Sequence, residues 1–143
     1  MEVQEIALAL RQRGYKVTPQ RLAVYEALRS SMAHPSAEEL YGILQSDFPT
    51  MSLATVYKAL EVLCEAGLAR QLHVGEEFSR YDSDISSHCH VHCQVCGHME
   101  DVPLPSVEEW MEEASKRSGY DIESQQICFH GVCPICREKI NAL

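Results

Sequence analysis

SLATVYKALEVLCEAGLARQLHVGEEFSRY, residues 52–81, is the stretch on which the architecture turns. Ser52 stands where a helix N-cap belongs, since its hydroxyl accepts from an amide of the first turn. Leu53, Val56, Leu60 and Leu63 recur at the spacing of one buried helical stripe, and Gly67 supplies the stop. Beyond it the period falls towards two. Leu68, Arg70 and Leu72 alternate with Ala69 and Gln71, Gly75 and two glutamates form a turn, and Phe78 to Tyr81 returns. A helix running into a two-stranded hairpin is the second half of a winged helix-turn-helix, whose helix before the wing enters the DNA major groove.

The residues upstream supply the rest of that domain. Residues 3–13 set Ile6, Leu8 and Leu10 among Glu5, Arg11 and Arg13 and end at Gly14, which predicts a helix with a glycine stop. Thr18 before Pro19 is an N-cap followed by proline at the first helical position, and Leu22, Tyr25, Ala27 and Leu28 continue the helix to Ser30. Ser36 with Glu39 is a capping box, with Leu40, Ile43 and Leu44 facing inward. Ser52 to Ala66 is then the recognition helix, carrying Ser52, Thr55, Tyr57 and Lys58 off its apolar stripe. These four also suit solvated positions of a packed helix, and periodicity does not separate the two readings.

Downstream the chemistry changes. DSDISS, residues 82–87, is small, polar and turn-forming, and reads as a hinge between a domain at 1–81 and another at 88–143. HCHVHC, residues 88–93, alternates as a strand, so His88, His90 and His92 share one face while Cys89, Val91 and Cys93 share the other. HMEDV, 98–102, is a second short strand after a turn at Gly97, and SVEEWMEEASKRSG is a helix ending at Gly119 with Val107, Trp110, Met111 and Ala114 apolar. Ile122 to Val132 is a third strand, and Pro134 starts a terminal helical turn. The expected fold class is α+β: an N-terminal winged helix-turn-helix followed by a small α/β domain with a three-stranded sheet.

Two CxxC pairs, Cys93 with Cys96 and Cys133 with Cys136, bracket this last domain. Four thiolates presented two by two match the closed tetrahedral coordination of structural zinc. A redox CxxC of thioredoxin type is the rival reading, and the repeated spacing serves zinc better. Imidazoles and carboxylates nearby favour a harder, exchangeable ion, so the chain reads as a protein with two different metal sites, placed on opposite faces of the strand.

Composition narrows the classes further. The 143 residues suit one or two small domains, no apolar run approaches the ~18 residues of a membrane span, and the amphipathic N-terminus lacks a signal peptide's layout. A cytoplasmic protein without membrane attachment is expected, with its seven cysteines reduced rather than disulfide-bonded. Residues 1–80 carry eight Lys/Arg against ten Asp/Glu, and residues 81–143 four against eleven, so net −2 and −7 make up the −9 total. Nucleic-acid binding must therefore rest on a local basic face of the first half, from Arg11, Arg13, Lys16, Arg21, Lys58, Arg70 and Arg80.

TPQR at 18–21, MAHPSAEELY at 32–41, SLATVYKAL at 52–60, HCHVHCQVCG at 88–97 and GVCPIC at 131–136 together resemble the ferric uptake regulator (Fur) family along nearly the whole chain. The likeness is greatest to its peroxide-sensing branch. It implies a homodimeric, metal-dependent DNA-binding repressor with an N-terminal winged helix and a C-terminal dimerisation domain. The implied structural Zn2+ ligands are Cys93, Cys96, Cys133 and Cys136. The implied regulatory site, for Fe2+ or Mn2+, is His34, Asp82, His88, His90 and Asp101. Aspartate at 101 is the mark of the peroxide branch, where bound ferrous ion promotes oxidation of His34 or His88, whereas iron sensors usually carry glutamate there.

The family also implies double-stranded operator DNA with A·T-rich inverted repeats. Tyr57 would meet thymine methyl groups, Lys58 a guanine edge or phosphate, and Lys16, Arg21 and Arg70 phosphates. Departures are visible too. Cys89 lies between two ligand histidines, and it reads as a buried hydrophobe or as an extra thiol sensor or soft ligand; Cys64 and Cys128 also stand outside the zinc set. Ser87, Cys89, Glu108 and Gln125 occupy an ancillary metal site of some members, which is expected to be absent here. His92, His98 and His130 read as exposed strand histidines. An iron, manganese or zinc uptake regulator is the alternative within the family. A metallohydrolase built on the His/Asp cluster is a third reading, without an acid/base pair beyond the ligands and with the recognition helix unexplained.

Overall fold

The computed structural model describes residues 2–31, 33–73, 78–86 and 88–142. The chain divides into two compact units, Met1–Ile85 and Ser86–Leu143.

The first unit runs α1 (Val3–Gln12), α2 (Pro19–Ser30), α3 (Ala37–Leu44), α4 (Leu53–Glu65), β1 (Arg70–Leu72) and β2 (Arg80–Asp82). Each helix start has a local cause. The Thr18 Oγ1 accepts from Arg21 N at 3.1 Å, the Ser36 Oγ from Glu39 N at 3.2 Å, and the Ser52 Oγ from Thr55 N at 3.1 Å. Each such cap contributes about 1 kcal/mol. At the far ends Gly14 and Gly67 adopt φ of +82° and +74°, the left-handed conformation that a side chain disfavours.

These helices close on one core of Ile6, Leu10, Val24, Leu28, Leu40, Val56, Leu60 and Leu63, with Leu68, Ala69 and Tyr81 sealing it from the hairpin side. Leu60 is fully buried, so truncation to alanine costs about 2–5 kcal/mol. One inward expectation fails. Ile43 is 56 % exposed, because Leu40 and Leu44 already fill the inner face of α3.

β1 and β2 pair antiparallel, with Arg70 opposite Asp82, Gln71 opposite Tyr81 and Leu72 opposite Arg80. Asp82 is therefore a strand residue, 5 % exposed, rather than part of a hinge. Phe78 precedes the strand and is 41 % exposed. The turn expected at Gly75 lies outside the described residues.

The second unit comprises β3 (Cys89–Cys93), β4 (Met99–Val102), α5 (Val107–Ser118), β5 (Ile127–Gly131) and α6 (Pro134–Asn141). Its sheet is mixed, in the order β4-β3-β5, with β3 antiparallel to β4 and parallel to β5. The third strand is shorter than the Ile122–Val132 expectation, since only Ile127 to Gly131 finds partners on β3. The terminal turn is instead an eight-residue helix. Register sorts the side chains by face, because paired residues in adjacent strands point the same way. Asp101, His90 and Cys128 form one row, and Met99, His92 and His130 the next, while Cys89, Val91 and Cys93 take the opposite face.

Candidate metal centres and nucleic-acid interface

The sulfur cluster is assembled from two local knuckles of the second unit. β3 ends at Cys93, whose N–H donates to the His98 carbonyl at 2.8 Å, and Gly97, at φ +79°, turns the chain so that its N–H donates to the Cys93 carbonyl at 3.0 Å. The second knuckle is a helix start. Cys133 caps α6, with Pro134 at the first helical position and Cys136 N donating to Cys133 Sγ at 3.4 Å.

Cys93 Sγ accepts from two amides, Cys96 N at 3.5 Å and Cys133 N at 3.3 Å. Those donors stabilise the thiolate and pull the Cys93 thiol down from 9.0 to about 5. Hydrogen bonding with Cys133 pushes the Cys136 thiol up to about 12, as expected when crowded sulfurs share protons. Sγ atoms of Cys96 and Cys133 are 3.8 Å apart, and all four lie within 4.8 Å of one another. A tetrahedral ion ~2.3 Å from each sulfur requires S···S edges of about 3.8 Å. The donor set and its spacing both fit zinc.

Imidazole and carboxylate donors occur in each unit. In the first, His34 Nδ1 is 3.7 Å from Asp82 Oδ1 with both side chains buried. His34 holds a positive φ of 50° before Pro35, and β2 braces the loop around it. Arg80 donates to the carbonyls of Ala33 and His34, each at 3.3 Å, and Tyr81 N donates to the Pro35 carbonyl at 3.0 Å.

In the second unit, Nε2 of His88 and of His90 approach one oxygen, Asp101 Oδ1, at 3.4 and 3.3 Å. His88 turns its Nδ1 to the Ser86 carbonyl at 2.7 Å; donation there leaves the ring lone pair on Nε2. His90 lies directly opposite Asp101 in the strand register and is 1 % exposed. Neutral imidazoles with oxygen donors suit a first-row divalent ion such as iron or manganese. Cys89 is fully buried on the opposite face from His90, so it packs as a small hydrophobe and offers that cluster no sulfur.

On α4, Ser52 and Thr55 are engaged with each other, Oγ to Oγ1 at 2.9 Å, as well as in capping. Tyr57, 42 % exposed, donates its hydroxyl to Glu38 Oε1 at 2.6 Å. That bond holds the Glu38 carboxyl below its usual range and lifts the tyrosine above its own. The Lys58 ammonium is 3.8 Å from Glu61 and mostly solvated. Arg21 donates to the Lys16 carbonyl at 2.8 Å, and Thr18, Arg21, Thr55 and Lys58 line one shallow hollow where α2 meets α4. Arg70 stands apart on β1.

Residues 12–130 match the model of the ferric uptake regulator family. The chain belongs to that family. It is 39 % identical over 140 residues to the peroxide operon regulator of Bacillus subtilis, covering 98 % of this chain and 97 % of that protein. It is 36 % identical to the peroxide-responsive repressor PerR of Staphylococcus aureus, covering 96 % and 93 %. Among solved structures, the Campylobacter jejuni peroxide stress regulator superposes with a TM-score of 0.75 at 34 % identity, covering 95 % of this chain and 100 % of that one.

Within this Fur-family chain two features escaped sequence reasoning. Arg80 was grouped with the basic candidates for DNA, yet it is 7 % exposed and braces the His34 loop. Nothing local in the sequence signals this, since its partners lie 46 and 47 residues away. His92 was expected on the surface and is 7 % exposed, facing His130 across the sheet. Ser87 of the ancillary set lies outside the described residues.

Proposed function

We infer that this Fur-family chain is a metal-dependent, peroxide-responsive transcriptional repressor working as a homodimer on double-stranded DNA. The observation that carries the reading is Asp101: one short carboxylate oxygen faces two imidazole Nε2 atoms, in a chain whose full-length relatives include named peroxide regulators. Zinc on Cys93, Cys96, Cys133 and Cys136 is the structural ion, and Fe2+ or Mn2+ on His34, Asp82, His88, His90 and Asp101 is the regulatory one. The winged-helix unit reads DNA and the zinc unit dimerises, with the residues just after β2 as the hinge. Binding free energy at the regulatory site selects the DNA-competent arrangement, because its ligands are drawn from both units.

The chain's own groups define the response. Asp101 leaves room for peroxide where a longer glutamate would fill it, and His88, oriented by the Ser86 carbonyl, presents an oxidisable ring. Bound ferrous ion would supply the electron that splits the peroxide O–O bond. The net change is one imidazole C–H plus H2O2 giving an oxygen-inserted imidazole plus water. A histidine so altered is a poorer ligand, and repression ends.

For DNA, the hollow formed by Thr18, Arg21, Thr55 and Lys58 suits a backbone phosphate, with Lys16 and Arg70 as outlying cations and Ser52 and Tyr57 at the groove. Two-fold symmetry would place paired recognition helices on an A·T-rich inverted repeat. Edge strand β5, with Phe129 45 % exposed, supports association of the second unit with another copy. No described helix is long and apolar enough to cross a membrane, in keeping with a cytoplasmic site of action. The test is peroxide added to iron-loaded and manganese-loaded protein on operator DNA, followed by mass spectrometry. Only the iron form should release DNA, with one added oxygen on His34 or His88. Release with both histidines unmodified would refute the route, and equal persistence of both forms would favour a metal-uptake regulator.

A further inference from the structure

Tyr57 of α4 is tied to a different helix. Exposed at the surface, it donates its hydroxyl at 2.6 Å to Glu38 Oε1 of α3, 19 residues away along the chain. A hydrogen bond to an ionised carboxylate is short and roughly twice as strong as a neutral pair. Both ends stand on packed elements. Leu40, two residues beyond Glu38, is fully buried in the core that also holds Leu60, three residues beyond Tyr57. The Tyr57 hydroxyl, then Glu38's own amide and the Ser36 hydroxyl, hold the Glu38 carboxyl below its usual range, so it remains an ionised acceptor. The same bond lifts the phenol above its own range, and the proton stays on Tyr57.

We propose that Glu38 sets base preference from outside the groove: by occupying the Tyr57 hydroxyl proton, it limits what this tyrosine can recognise on DNA. The inference rests on the reading of α4 as the DNA-reading helix. Glu38 acts through Tyr57 and touches no base itself, so it is a positioning residue. A free phenol both donates and accepts, and it therefore tolerates many base edges. With its proton committed to a carboxylate, Tyr57 offers the groove an apolar ring edge and oxygen lone pairs only. Thymine presents a methyl group there, which the ring can cover. Guanine presents N7 and O6, two acceptors that would meet a lone pair and no donor. Selection thus works by what Tyr57 is prevented from doing. Surrendering the proton to a base would strip the Glu38 charge of its donor within the negative field of the duplex, which keeps the bond in place on binding. The latch also orders the ring beforehand, sparing the complex that loss of side-chain freedom.

The test uses the full chain loaded with Zn2+ and Mn2+, on a duplex that the wild type selects from a pool of A·T-rich inverted repeats. Each thymine of a half-site is replaced in turn by deoxyuridine, which removes only the methyl, and then by guanine paired with cytosine. The position read by Tyr57 is the one where deoxyuridine weakens the wild type and leaves Tyr57→Ala unaffected. There, thymine should be preferred over guanine by about fivefold or more in the wild type and by under about twofold in Glu38→Ala, whose freed hydroxyl can donate to guanine. Glu38→Gln keeps an acceptor oxygen and should keep the wild-type ratio. Adding Tyr57→Phe to Glu38→Ala should restore the preference, because the ring remains and the donor is gone. Neither a structural role for Glu38 nor direct repulsion between its carboxylate and guanine predicts that recovery, and circular dichroism should be the same for every variant. An unchanged ratio in Glu38→Ala, a preference that Tyr57→Phe fails to restore, or no methyl-dependent position at all would overturn the inference while leaving DNA binding in place. A wild type that selects no duplex would overturn the repressor reading together with it.

Discussion

The sulfur cluster and the imidazole–carboxylate cluster differ less in chemistry than in where their donors come from. All four cysteines belong to one unit and are set by two short knuckles, each with an amide aimed at a sulfur. The five nitrogen and oxygen donors proposed for the regulatory ion are divided, two in the first unit and three in the second. An ion inside one unit can only add to that unit's stability. An ion that draws on both can report on, and select, their arrangement.

The largest effect should come from Cys96→Ser. Losing one thiolate from a closed tetrahedral site removes much of a zinc contribution of about 10–16 kcal/mol, so the second unit should unfold and the dimer dissociate, read by circular dichroism and sedimentation. A zinc-free variant that stays folded and dimeric would erase the distinction between the clusters. Asp82→Ala should act oppositely: the cysteine zinc and the fold persist, while the dependence of operator binding on added Mn2+ is abolished in a gel-shift titration. Retained manganese dependence would take Asp82 out of the regulatory set.

Arg80→Ala is intermediate. It strands carbonyls of Ala33 and His34 that the guanidinium now satisfies, at about 1–3 kcal/mol each, so thermal stability of the first unit should fall and regulatory-metal affinity with it. Unchanged metal affinity at reduced stability would make Arg80 merely structural. Lys58→Ala should weaken operator binding by about 1–3 kcal/mol if it reads a base, and equal losses on random DNA would demote it to a phosphate contact. Smallest is Tyr57→Phe, which removes one exposed hydrogen bond to Glu38 and should change stability by under ~1 kcal/mol. Any larger change in operator affinity than in stability would show that the hydroxyl leaves Glu38 for DNA.

Features that depend on neighbours in the chain were legible beforehand. Thr18, Ser36 and Ser52 cap because a hydroxyl reaches an amide three residues on, and Cys93 with Cys96 converges for the same reason. Apolar stripes were readable in outline only. Ile43 was misplaced because hydrophobicity marks what can be buried, and packing decides what is. The third strand was overextended because β propensity sets no end to a strand whose partner stops.

By itself, then, the sequence determined the helix starts, the winged hairpin, the two thiol knuckles and the kind of ion each donor set prefers, all consequences of short-range geometry and ligand chemistry. Only the tertiary structure decided that Arg80 braces His34 rather than facing solvent, that Cys89 turns away from the face carrying His90, and that His92 meets His130. Each of those depends on which distant segment lies alongside, and a strand register joining residues 38 apart leaves no trace in the spacing along the chain.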